Sequence, residues 1–78
     1  MPTLFELFGM RFFFYSLEHL PVHVHIENGD GRAKICVETL EVIENRGIKQ
    51  KDIKRATQIV KLYHDEIINK WHQYHGED

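Results

Sequence analysis

A chain of 78 residues, 42% hydrophobic and 28% charged, makes one small domain spanning 1–78 and leaves no room for a large catalytic apparatus. Its single cysteine, Cys36, excludes an internal disulfide, and no run approaches the roughly 18 to 20 apolar residues a bilayer span requires, so a cytoplasmic protein without a membrane segment is expected. The net charge of −2 conceals an asymmetry: residues 1–47 carry four Lys/Arg against seven Asp/Glu, whereas residues 48–75 carry six against three, with Lys49, Lys51, Lys54, Arg55 and Lys61 close together.

In chain order, Thr3 to Phe8 reads as a helical turn or an extended lead-in, too short to decide, ended by Gly9. Met10 to Ser16, with Phe12, Phe13, Phe14 and Tyr15, is a β-prone aromatic run and predicts a strand. Pro21 suits the first residue of the next strand, where a missing donor does little harm. From Pro21 to Glu27 the alternation is strict: Val22, Val24 and Ile26 point to one face, and His23, His25 and Glu27 to the other. Asn28-Gly-Asp-Gly31 is a turn signal. A second alternating strand follows, with Ala33, Ile35 and Val37 on one face and Arg32, Lys34, Cys36 and Glu38 on the other. Opposed residues share a face, so a four-residue turn places Glu27 opposite Arg32, His25 opposite Lys34, His23 opposite Cys36 and Val24 opposite Ile35.

Leu40 to Glu44 predicts a fourth strand stopped by Asn45-Arg-Gly47. From about Lys49 to His75 the period becomes helical, with Ile53, Ala56, Val60, Tyr63, Ile67, Trp71 and Tyr74 on one stripe and Gly76 as the stop. The expected fold is α+β: a small antiparallel sheet of three or four strands with one long C-terminal helix packed on its apolar face. Its core should comprise Val22, Val24, Ile26, Ala33, Ile35, Val37, Ile53, Val60, Ile67 and Trp71. Leu62 and the aromatic run from Phe12 to Tyr15 are the apolar residues left for a partner. His64 falls within the stripe as a core histidine, and His72 and His75, near a fraying end, are expected in solvent.

The chemistry concentrates on the histidine face. Two imidazoles at i and i+2 on a strand project from one face about 7 Å apart, a spacing suited to gripping one metal ion or to placing an acid and a base across one bond. A metal would need a third ligand, with Cys36, Glu27 and His19 as local candidates; zinc is the ion such a set favours, and His23, His25 and Cys36 are the set the register brings together. Metal-free, His23 and His25 would act as general acid and base, with Lys34 or Arg32 stabilising a phosphate, as RNA cleavage requires. The plain reading leaves both histidines on a wet sheet face or in a subunit contact. At the helix start, Lys49, Lys51, Lys54 and Arg55 oppose the helix dipole, which points to an anionic partner such as a nucleic-acid backbone. Phosphate-loop, dinucleotide and serine-hydrolase signatures are absent.

Met1-Pro-Thr-Leu, the strand Arg11-Phe-Phe-Phe-Tyr15, the motif Glu18-His19-Leu-Pro21-Val-His23-Val-His25-Ile26 and Asn69-Lys-Trp71 together resemble the prokaryotic domain of unknown function numbered 4160. Members often carry a second proline and an aromatic where this chain has Val22 and Val24, a departure on the apolar face that bears on packing rather than on the histidines. The resemblance implies context: one half of a two-gene cassette, often beside a small family numbered 2442, an arrangement similar to toxin and antitoxin pairs. It also carries over Glu18, His19, Pro21, His23 and His25 as motif positions.

The first expectation is therefore a toxin–antitoxin-like component acting through protein–protein binding. Its partner would be a second small protein from a neighbouring gene or a second copy, met by the aromatic strand and the basic helix start. The alternatives are a small ribonuclease-type toxin using His23, His25 and Lys34, and a weak zinc-binding domain. Glu18, His19, Glu27, Arg32, Lys49, Lys51, Lys54 and Arg55 are the candidate binding residues.

Overall fold

The computed structural model describes residues 3–15 and 20–75. Five strands, β1 (Thr3–Leu7), β2 (Met10–Phe13), β3 (His23–Glu27), β4 (Arg32–Cys36) and β5 (Val42–Arg46), form one antiparallel sheet in chain order. Two helices follow, α1 (Gln50–Leu62) and α2 (His64–His75). No helix among the described residues is long and apolar enough to cross a membrane.

The expected three or four strands become five because Thr3 to Leu7 pairs with β2. Phe8 and Gly9 make a two-residue hairpin turn in which both take positive φ, 53° and 73°. Such a turn matches the twist of the flanking strands. The aromatic strand ends at Phe13 rather than Ser16, and Pro21 lies before β3 instead of beginning it. The fourth predicted strand lies two residues later than expected, so Asn45 and Arg46 belong to β5 and do not stop it.

The predicted hairpin register is observed at all four pairs: His23 with Cys36, Val24 with Ile35, His25 with Lys34 and Glu27 with Arg32. Asn28 closes the turn, its Oδ1 accepting from the backbone N–H groups of Asp30 and Gly31 at 2.8 and 3.0 Å. Gly31 is required by packing, since a Cβ there would stand 1.9 Å from the Arg46 carbonyl oxygen. The β3–β4 turn thus lies directly against the end of β5.

All ten predicted core residues are buried, joined by Met10, Phe12, Phe14, Ile48, Ala56 and Ile59. The single long helix is corrected to two. Tyr63, at φ −101° and ψ 22°, interrupts it, although backbone hydrogen bonds from Tyr63 to Ile59 and from Ile67 to Tyr63 continue across the break. Ile53, Val60, Ile67 and Trp71 are buried on both sides of Tyr63, so the break leaves the buried face unchanged. The Tyr63 ring meets Phe5 of β1 at 5.1 Å, while Tyr74, assigned to the same stripe, is exposed.

Three further expectations are corrected. Phe12, Phe13 and Phe14 are fully buried, leaving Tyr15 as the exposed member of the run, so the aromatic strand is not a partner surface. His75 is not simply solvated: its ring packs on Trp71 at 4.1 Å, and its nitrogens lie 3.0 and 3.1 Å from the carbonyl oxygens of Trp71 and Tyr15. His64 is half-exposed beside Asp65 instead of lying in the core. Gly76 lies outside the described residues.

Candidate functional site

With the helices on the Val24 face, the alternate residues form an open face crossed by rungs. One rung runs Arg11, Glu27, Arg32, Arg46 across β2 to β5, and the next runs Phe13, His25, Lys34, Glu44. Beyond them, His23 stands opposite Cys36. Strict alternation in β3 and β4 produces this ladder, because every second side chain must leave the core.

The first rung is an ion-pair chain. Glu27 accepts from Arg11 at 3.1 Å through one oxygen and from Arg32 at 3.1 Å through the other. Arg11 also donates to Thr3 Oγ1 at 2.9 Å, and its guanidinium lies 4.3 Å from the Phe13 ring centre. Glu27, read from the sequence as a metal or binding ligand, is thus the hub that aligns two arginines. At the end of the rung, Arg46 pairs with Glu44 along β5.

The second rung carries the aromatic cluster. His25 stacks on Phe13 with ring centres 5.4 Å apart and meets the edge of Tyr15 at 4.5 Å. Next to His25 opens a groove of about 300 Å³ lined by Tyr15, His25, Arg32, Ala33, Lys34, Glu44 and Arg46. Among the described residues its walls present three cations against one carboxylate. Lys34, in the lining, is half-buried and makes no ion pair with any described residue.

His23 and His25 differ sharply. His25 is half-buried and lines the groove, whereas His23 is 8% exposed, with Nδ1 donating to the Pro21 carbonyl at 2.8 Å. That bond puts the proton on Nδ1 and makes Nε2 the acceptor of the neutral ring. The His23 ring sits against Trp71 of α2 at 5.3 Å, where β2 ends and β3 begins. Its centre lies 5.2 Å from that of His25, edge to face, so the two rings touch and do not flank a gap.

The other sequence candidates scatter. Cys36 is buried opposite His23, and among the described residues no three His, Cys, Asp or Glu side chains are grouped so as to hold one metal ion. Glu18 and His19 lie outside the described residues. Lys49 stands at the start of α1 with its ammonium 4.0 Å from Asp30, Lys51 and Lys54 are exposed, and Arg55 lies over the Phe8 ring at 4.6 Å. None of these four reaches the groove.

Sequence reading missed Tyr15, Glu44 and Arg46 as groove residues. Glu44 lies within the predicted strand, whereas Arg46, the next residue on its face, falls in the Asn45-Arg-Gly47 stop signal that ends the prediction. Tyr15 could not be placed without knowing how the chain continues after β2.

Compared with known proteins, residues 9–72 match the family described as Domain of unknown function (DUF4160). No curated protein and no solved structure matches.

Proposed function

The chain belongs to the family described as Domain of unknown function (DUF4160), and from the geometry of its open face we propose that it binds a phosphate-bearing ligand there. The observation that carries this reading is Lys34, a half-buried cation in the groove lining with no ion pair among the described residues. A lysine so placed is a compact point charge with three donors, suited to phosphate oxygens. Arg32 and Arg46 add charge on the neighbouring rung, and His25 stands directly across from Lys34. Titration with adenosine 5′-monophosphate, followed by NMR shifts of the His25 ring, tests it. Binding should weaken about tenfold in Lys34→Ala, the scale of one charge-assisted hydrogen bond. Unchanged affinity in that variant would overturn the reading.

RNA cleavage is a narrower form of the same reading. Because His23 is packed beneath the surface, His25 is the imidazole that would exchange protons with substrate, with His23 holding it from behind. A rate loss of roughly 10²- to 10⁴-fold in His25→Ala is expected of a general acid or base.

A second reading is a toxin–antitoxin-like module of a prokaryotic cytoplasm, in which a second small protein binds this one. It is supported by apolar surface away from the groove: Phe8, stacked against Arg55, and Leu62, two turns further along the same stripe of α1, are 68% and 76% exposed. Copurification with the neighbouring gene product, lost in Leu62→Glu, would support it.

A further inference from the structure

We infer that the ligand of the open face is a single-stranded nucleic acid: a base rests on the Tyr15 ring, beside His25, while consecutive phosphates engage Lys34 and the Arg32–Arg46 pair. This rests on the phosphate-binding reading and extends it from one phosphate to a strand.

Three observations combine. The groove has an aromatic wall and a cationic wall side by side. On the aromatic wall, Tyr15 is 37% exposed, and the His25 ring is braced from behind by Phe13. On the cationic wall, Lys34 and Arg32 occupy successive same-face positions of β4, about 7 Å apart, and Arg46 lies across from Arg32 on β5. A mononucleotide has one phosphate-bearing end and could occupy only one of these cationic positions. A strand with a repeating phosphate can meet both while a base stacks on the Tyr15 ring, the combination by which nucleic-acid strands are held without sequence preference.

Charge alignment supports the same ligand. Glu27 holds Arg32 with one oxygen and Arg11 with the other, and Glu44 holds Arg46, so both groove arginines are pre-oriented by carboxylates. Even so, the described lining retains three cations to one carboxylate. A base-paired duplex would present its bases only as edges and could not offer a face to Tyr15.

The test is fluorescence anisotropy with a labelled ten-nucleotide single-stranded RNA and DNA, a duplex of the same sequence and adenosine 5′-monophosphate as competitor, over a series of salt concentrations. The expected result is binding of the single strands well above the mononucleotide and above the duplex. The slope of log affinity against log salt should fall by about 0.7 for Lys34→Ala and for Arg46→Ala, one phosphate contact each. Tyr15→Ala should lose roughly 5- to 150-fold in affinity with the slope unchanged, the scale of one base–aromatic stack. Lys54→Ala, an exposed cation on α1 away from the groove, should change neither. Circular dichroism of each variant separates lost binding from lost folding, and Lys34→Arg should restore the slope.

Mononucleotide binding without tighter oligonucleotide binding would overturn this inference and leave the phosphate reading intact. Absence of both would overturn both. An equal loss in Lys54→Ala, or displacement by a poly-glutamate peptide as effective as by the single strand, would mean diffuse electrostatics or an acidic protein partner and would likewise overturn it.

Discussion

Among single residues, two neighbouring histidines of one motif are given opposite surroundings by their neighbours. His23 donates to the Pro21 carbonyl and lies against Trp71, whereas His25 faces the groove between Phe13 and Tyr15. Replacing His23 removes the donor to the Pro21 carbonyl and leaves a gap beside Trp71. His23→Ala should therefore cost about 1–3 kcal/mol of stability. His25→Ala loses only partial ring contacts and should cost about 1 kcal/mol, with its larger effect on ligand binding. Urea denaturation of both variants measures the difference, and equal losses would contradict the distinct roles assigned to them.

Among elements, the junction between β5 and α1 depends on one side chain. Lys49 provides no side-chain cap to the helix. Asn45 instead clamps the loop, donating through Nδ2 to the Ile48 carbonyl at 2.9 Å and accepting at Oδ1 from the Ile48 N–H at 3.0 Å. The same residue was read from the sequence as a strand stop, and it is a strand residue whose amide organises the next turn. Asn45→Ala should lower stability by about 1–2 kcal/mol, two part-buried hydrogen bonds at their usual net worth. The denaturation midpoint should fall accordingly, with the far-UV circular dichroism of the folded state retained. An unchanged midpoint would show that the buried Ile48 side chain alone holds the junction.

On the scale of the whole molecule, the two surfaces that could meet partners are separate: the groove on the open face of the sheet and the outer stripe of α1. Leu62 contributes nothing to the core at 76% exposure. Leu62→Glu should therefore leave monomer stability within about 0.5 kcal/mol and leave nucleotide affinity unchanged, while abolishing any association through α1. Light scattering and copurification read that outcome. A large loss of stability would instead mean that Leu62 is packed in the folded protein.

Local alternation was enough to determine the β3–β4 hairpin, its register and the ten core residues, because each of those features depends on period two or on a 3.6-residue stripe within a short window. The motif Pro21-Val-His23-Val-His25 likewise placed both histidines on the alternate face of β3, though not the packing of His23 against Trp71. The tertiary structure decided what those windows do not contain. The Thr3 to Leu7 segment became a strand because β2 offered it a hydrogen-bonding edge, and the helix was interrupted at Tyr63, whose ring meets Phe5 of β1. Phe13 was buried on the side opposite the core, braced by His25, Tyr15 and Arg11. The groove joins Tyr15, His25, Lys34 and Arg46 from four successive segments of the chain, and only the lateral order of the strands brings them together.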